Sequence, residues 1–165
     1  MERTQWYLGA PNAVVLCVDG RPRRELCGRL YHSYSPEAMA FGSIDAMTRW
    51  MQRLYDFLNF PHPATNSRHF AAVSPESAEE LSWERNKIMS DESLLNRHGD
   101  LGTFIVRVQH RQNSSWQGRI TWMEEDRTIN FRSVWEMVRL IEDALDTVST
   151  PEEGEGDPSW FEAEK

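Results

Sequence analysis

Arginines set among aromatic and amide side chains carry most of the chemistry this sequence offers. Arg29 and Tyr31 stand close together in one segment, and Arg107, Arg111, Gln117 and Arg119 in another. Guanidinium groups with interleaved rings suit phosphates or stacked single-stranded bases. Their other use is to pair with Asp and Glu neighbours on a solvated face. Trp160 and Phe161 form an apolar pair in an acidic stretch and are candidates for a short docking motif.

Signatures of catalysis are missing. No GxxxxGK[ST] loop, HExxH or GxSxG occurs, and Gly154-Glu-Gly156 follows no strand pattern. His32, His62, His69, His98 and His110 are scattered, and His62 and His69 share a loop with no cysteine or carboxylate at ligand spacing. No metal and no cofactor is expected, and no catalytic residue is assigned. Cys17 and Cys27 lack CxxC spacing and read as reduced structural thiols.

An internal repeat supplies the elements that must position these residues. Sliding the chain by 90 positions aligns 13–55 with 103–145 without a gap. Val18, Arg21, Gly28, Arg29, Phe41, Ser43, Met47 and Arg49 then meet identical residues, eight in 43 positions. Average composition gives roughly two or three by chance. In each copy two alternating apolar runs flank a turn, a third extended piece follows, and a serine opens an amphipathic helix. Ser43 precedes the stripe Ile44, Met47, Met51, Leu54 and Leu58. Ser133 precedes Val134, Met137, Leu140, Ile141, Ala144 and Leu145. Gly28 and Gly118 fall mid-strand, which predicts a bulge or a close passage over the backbone.

The fold expected is α+β: two tandem βββα repeats packed about a pseudo-twofold axis as a single domain. Its sheet is mainly antiparallel, with both helices on one face. Repeat 1 spans about 13–58, a connector 61–100 and repeat 2 about 103–146, within a domain of 1–148. Pro75 to Met89 reads as a polar helix in the connector. Residues 149–165 carry six acids and one lysine, −5 of the net −8, and are expected to be a disordered acidic tail. Such a balance argues against a generally basic nucleic-acid binder. No run of about 18 apolar residues suggests a membrane span, and the start lacks the pattern of a secretory signal, so a cytoplasmic protein is expected.

On that arrangement Arg107, Gln117, Arg119 and Thr121 share the sheet face turned away from the helices. Cys17, Cys27, Arg29 and Tyr31 do so in the first copy, and Arg21, Arg23, Arg24 and Arg111 extend the surface at the hairpin tips.

The stretch 103–145 resembles uncharacterised small proteins of low-GC Gram-positive bacteria. Arg111–Asn113, Ser115–Gly118, Trp122 and Phe131–Ser133 carry the likeness, an RQNxSWQG run followed by FRS. It covers about 45 residues and implies a bacterial origin, but no activity and no catalytic residue. The leading expectation is a non-catalytic binding or adaptor protein that meets a protein partner through the open sheet face or the tail. The alternative is a nucleic-acid or nucleotide-binding module using the arginine-bearing face. An enzyme of unrecognised type is the third, a homodimer through sheet edges is allowed, and no membrane partner is expected.

Overall fold

The computed structural model describes residues 10–64, 68, 70 and 86–153, of which 149–153 are described by their backbone alone. The chain is α+β, a six-stranded antiparallel sheet with three helices. The strands are β1 (Val14–Gly20), β2 (Cys27–Tyr31), β3 (Met39–Phe41), β4 (Gly102–His110), β5 (Gln117–Trp122) and β6 (Arg127–Phe131). Helix α1 spans Ile44–Leu58, α2 Asp91–Leu95 and α3 Val134–Glu153. Sheet order is β3-β2-β1-β4-β5-β6, so β1 and β4 meet at the centre and β3 and β6 form the edges.

Local chemistry explains the elements. Asn113 and Ser114 both adopt positive φ, and Ser115 N–H returns to the Gln112 carbonyl, the twist a two-residue hairpin requires. Arg23 and Arg24 do the same, with Glu25 N–H bonded to the Pro22 carbonyl. Ser43 Oγ accepts from Ala46 N–H and Ser133 Oγ from Glu136 N–H, so each long helix starts on a serine cap. Glu136 itself reaches back to Arg132 at 3.0 Å instead of completing a capping box.

One face of the sheet carries the main core. Leu16, Val106, Phe104 and Ile120 pack there under Met47, Met51 and Leu54 of α1 and Met137, Ile141 and Leu145 of α3. Each such side chain contributes about 1.5–3 kcal/mol through removal from water. The expectation of helices on one face holds for α1 and α3 but not for α2. Helix α2 lies over the opposite face, where Leu94 is fully buried with Ala13, Val15, Cys17, Tyr31 and Ile105. Both central strands are therefore buried on two sides, which is why Val14–Val18 reads as an unbroken apolar run.

Two bulges set the faces. Register shifts between Val18 and Gly20 opposite β2, and between Val108 and His110 opposite β5. At each one a Cβ on Gly28 or Gly118 would fall onto the neighbouring strand's carbonyl, of Cys17 or Arg107 respectively. The expected polar helix 75–89 falls mostly outside the described residues, as does most of the 149–165 tail. No helix among the described residues is long and apolar enough to cross a membrane.

Candidate binding surface

The arginines do not gather on one open face. Arg29 is held by Asp19, with Nε to Oδ2 at 2.9 Å and Nη2 to Oδ1 at 3.2 Å, and by the His98 carbonyl at 2.9 Å. The Asp19 carboxyl is correspondingly pulled below its ordinary pKa by the Arg29 guanidinium. Tyr31 is buried, its ring flanked by the guanidinium groups of Arg29 and Arg97 at 5.6 and 5.1 Å. Neither it nor the buried Cys17 offers a surface, because α2 closes this part of the face.

Arg111 lies on the other side of the sheet altogether. Its Nη1 meets Asp56 Oδ1 at 2.7 Å and its Nε donates to the Pro61 carbonyl at 2.6 Å, leaving its side chain 4% exposed. The bulge before it adds one residue, and one residue reverses the facing of everything beyond it. Arg21 turns the same way after the first bulge and meets Asp146 at 2.8 Å. Gln117 closes the hairpin, accepting from Gln112 N–H and donating to the Gln112 and Arg132 carbonyls. Trp116 is buried against the Tyr55 ring, edge to face at 5.3 Å.

Two arginines stay together on the face turned from α1 and α3. Arg107 and Arg119 are direct cross-strand partners on β4 and β5, and Arg119 is exposed. Arg107 Nη1 reaches Thr121 Oγ1 at 3.4 Å. Trp160 and Phe161 lie outside the described residues.

The site that the sequence reading missed is a groove between α3 and the β5–β6 side of the sheet. It holds about 70 Å³ and is lined by Phe104, Ile120, Trp122, Ile129, Leu140 and Ala144. Arg127, Asp143 and Thr147 complete its wall, all three exposed. The Trp122 indole N–H is buried and has no acceptor among the described residues.

Beside the groove runs β6, an edge strand whose outer backbone groups follow from the ladder. Met123 N–H donates to the Thr103 carbonyl, so the odd residues of β5 bond toward β4 and its even residues toward β6. Ile120 pairs with Ile129 and Gly118 with Phe131, which turns the N–H and C=O of Thr128 and Asn130 outward. The opposite edge differs. β3 has three residues, Pro36 stands shortly before it, and the Trp50 indole donates to the Ala40 carbonyl at 3.3 Å.

A signal for the groove was present in the repeat alignment. Trp50, Leu54 and Phe57 fall 90 positions before Leu140, Ala144 and Thr147, so three bulky residues are aligned with smaller ones. Among the described residues no group of three or more His, Cys, Asp and Glu is arranged to hold a metal. Comparison with family models, curated proteins and solved structures returned no match.

Proposed function

We propose that this protein is a non-catalytic adaptor that receives an extended segment of a protein partner as an added strand on β6. The observation that carries the reading is the contrast between the two sheet edges. β3 is short, preceded by proline and covered by Trp50, the devices that keep an edge from pairing. β6 has five residues with no proline and no bulge, its outer groups belong to Thr128 and Asn130, and Ile129 is 42% exposed. Main-chain bonds to such an edge supply affinity, and a neighbouring pocket supplies selectivity.

The same proposal takes the chain as two tandem βββα units about a pseudo-twofold axis. Its support is the register. Leu16 pairs with Leu30 and Val106 with Ile120; Gly28 pairs with Phe41 and Gly118 with Phe131. Between the copies, Val14 pairs with Val106 and Leu16 with Phe104, which a twofold through Val15 and Ile105 interchanges. The partner surface then lies where the two units differ. The compartment proposed is the cytoplasm of a bacterium, in line with the resemblance of 103–145.

A second reading, binding of nucleic-acid phosphates, draws on Arg107 and Arg119. Guanidinium groups side by side on a sheet suit the oxygens of a phosphate.

The test is capture by the immobilised full chain from source-cell lysate, with and without nuclease. Wild type is compared with Asn130→Pro, Asn130→Lys and the Arg107→Ala/Arg119→Ala pair. The adaptor reading expects a nuclease-resistant protein that both Asn130 variants release while their circular dichroism stays native. Retention of that protein by both Asn130 variants overturns the edge. Nucleic acid recovered on the wild type and lost in the arginine pair would transfer the function to the second reading.

A further inference from the structure

We infer that the groove between α3 and β6 takes one uncharged aromatic side chain, the anchor of the segment added at β6. This rests on the strand-addition reading. The argument begins with what the proposed twofold places in the corresponding space. In the first unit Trp50 and Phe57 pack against the core, Phe57 meets Tyr34 edge to face at 6.3 Å, and Trp50 spans from α1 to β3. In the second unit the related positions hold Leu140 and Thr147, with Ala144 in place of Leu54. Ring volume has been removed from a helix–sheet seam that otherwise keeps the same strand registers.

The walls select for a ring. Phe104 and Trp122 present aromatic surface, and Ile120, Ile129, Leu140 and Ala144 apolar surface. Offset and edge-to-face contacts with such walls favour an aromatic occupant over an aliphatic one. About 70 Å³ half-encloses a ring; a fully enclosed benzene needs roughly 150 Å³. Arg127 and Asp143 both stand at the exposed wall, so a charged group of either sign gains one attraction and suffers one repulsion. That leaves a neutral ring with Arg127 available to its face. Ile129 lines the groove and its neighbours Thr128 and Asn130 turn their backbone outward, so an added strand runs directly past the opening.

The probe is N-acetyl-L-phenylalaninamide, titrated into the ¹⁵N-labelled full chain. The readout is the indole Nε1–H resonance of Trp122, assigned with Trp122→Phe. The expected result is a saturable shift with weak affinity, as befits a small fragment, and a response to N-acetyl-L-alaninamide weaker by at least about tenfold. Thr147→Phe, which restores the ring found at the related position, is expected to abolish binding. Leu140→Trp serves the same purpose should Thr147→Phe fail to fold. Equal responses to the two amides, or binding that persists in a folded groove-filled variant, overturns the inference. Partner capture that survives Thr147→Phe but not Asn130→Pro would leave the adaptor reading standing without its aromatic anchor. Ring binding combined with capture indifferent to Asn130→Pro would instead strike the strand-addition reading.

Discussion

Arg111 and Asp56 meet at 2.7 Å, and Arg21 meets Asp146 at 2.8 Å, each residue of one pair standing 90 positions from its counterpart in the other. Each arginine leaves its own hairpin and closes on the helix that belongs to the other half of the chain. The same crossing places Trp116 against Tyr55. These contacts tie each long helix to the hairpin of the other half of the chain.

The two pairs differ in environment, and their mutational costs should differ accordingly. Arg111 is 4% exposed and also bonded to the Pro61 carbonyl, while Arg21 and Asp146 are 20% and 66% exposed in their side chains. Asp56 is itself 58% exposed, so Asp56→Ala, which strips one partner from a buried guanidinium that keeps its carbonyl acceptors, is expected to cost about 1–3 kcal/mol. Asp146→Ala breaks an accessible pair and should cost about 1 kcal/mol or less. Urea denaturation of the two variants measures both. Equal losses would mean that burial does not govern these pairs.

The glycines at the bulges make a second prediction. A Cβ at position 28 or 118 meets main-chain carbonyl oxygen on the adjacent strand, which cannot yield as a flexible side chain would. Gly28→Ala and Gly118→Ala are each expected to lower stability by more than about 3 kcal/mol, beyond the usual range for surface strands. Gly42 has nothing within 4 Å of the corresponding Cβ and provides the control. Its alanine variant should melt within a few degrees of wild type.

Much of this architecture was legible because hairpins and caps are local. Asn113-Ser114, Ser43 and Ser133 act on neighbours within a few residues, and the alternating runs beside them define the strands. The faces of the arginines were not legible beyond the bulges. Alternation carried past Val108 puts Arg111 beside Arg107, whereas the inserted residue sends it to α1. Helix α2 escaped notice for a different reason. It has five residues, too few for an apolar period, and only the Ser90 cap with Asp91 and Glu92 announces it. That omission made the second sheet face look open when Leu94 covers it. The groove was hidden because it falls where the 90-position alignment sets Leu140, Ala144 and Thr147 against the bulkier Trp50, Leu54 and Phe57, positions that the matching residues do not mark.

The two thiols should separate by reactivity. Cys17 is buried and its pKa is pushed up to about 11, first by desolvation and against the opposing pull of Arg29. Cys27 is only partly buried. At pH 8 the reactive thiolate at Cys17 is about a thousandth of the total, so iodoacetamide is expected to label Cys27 and spare Cys17 in the folded chain. Denaturation should expose both to equal labelling. Peptide mass spectrometry reads the sites, and prompt labelling of Cys17 in the native protein would contradict its placement between β2 and β4.

His32 sets the last prediction, a dependence of stability on pH. It is 1% exposed, and its Nδ1 accepts the Tyr34 N–H at 3.0 Å, a bond only the neutral ring can make. Burial lowers its pKa from 6.5 to about 4 in the folded chain. Above pH 6.5 both folded and unfolded states hold the ring neutral and the group contributes no pH dependence. Between 6.5 and 4 the unfolded chain takes up a proton that the folded chain refuses, so stability falls as the pH falls. Below about 4 both states are protonated and the loss levels off at ~3 kcal/mol. Asp19 and Glu124 also have shifted pKa values, one down beside Arg29 and the other up through desolvation. They are common to wild type and His32→Asn, and their contributions cancel in the difference. Urea midpoints from pH 7.5 to 4 should therefore show wild type losing its stability relative to His32→Asn across this window. A constant difference over the same range would show that the ring titrates as it does in the unfolded chain.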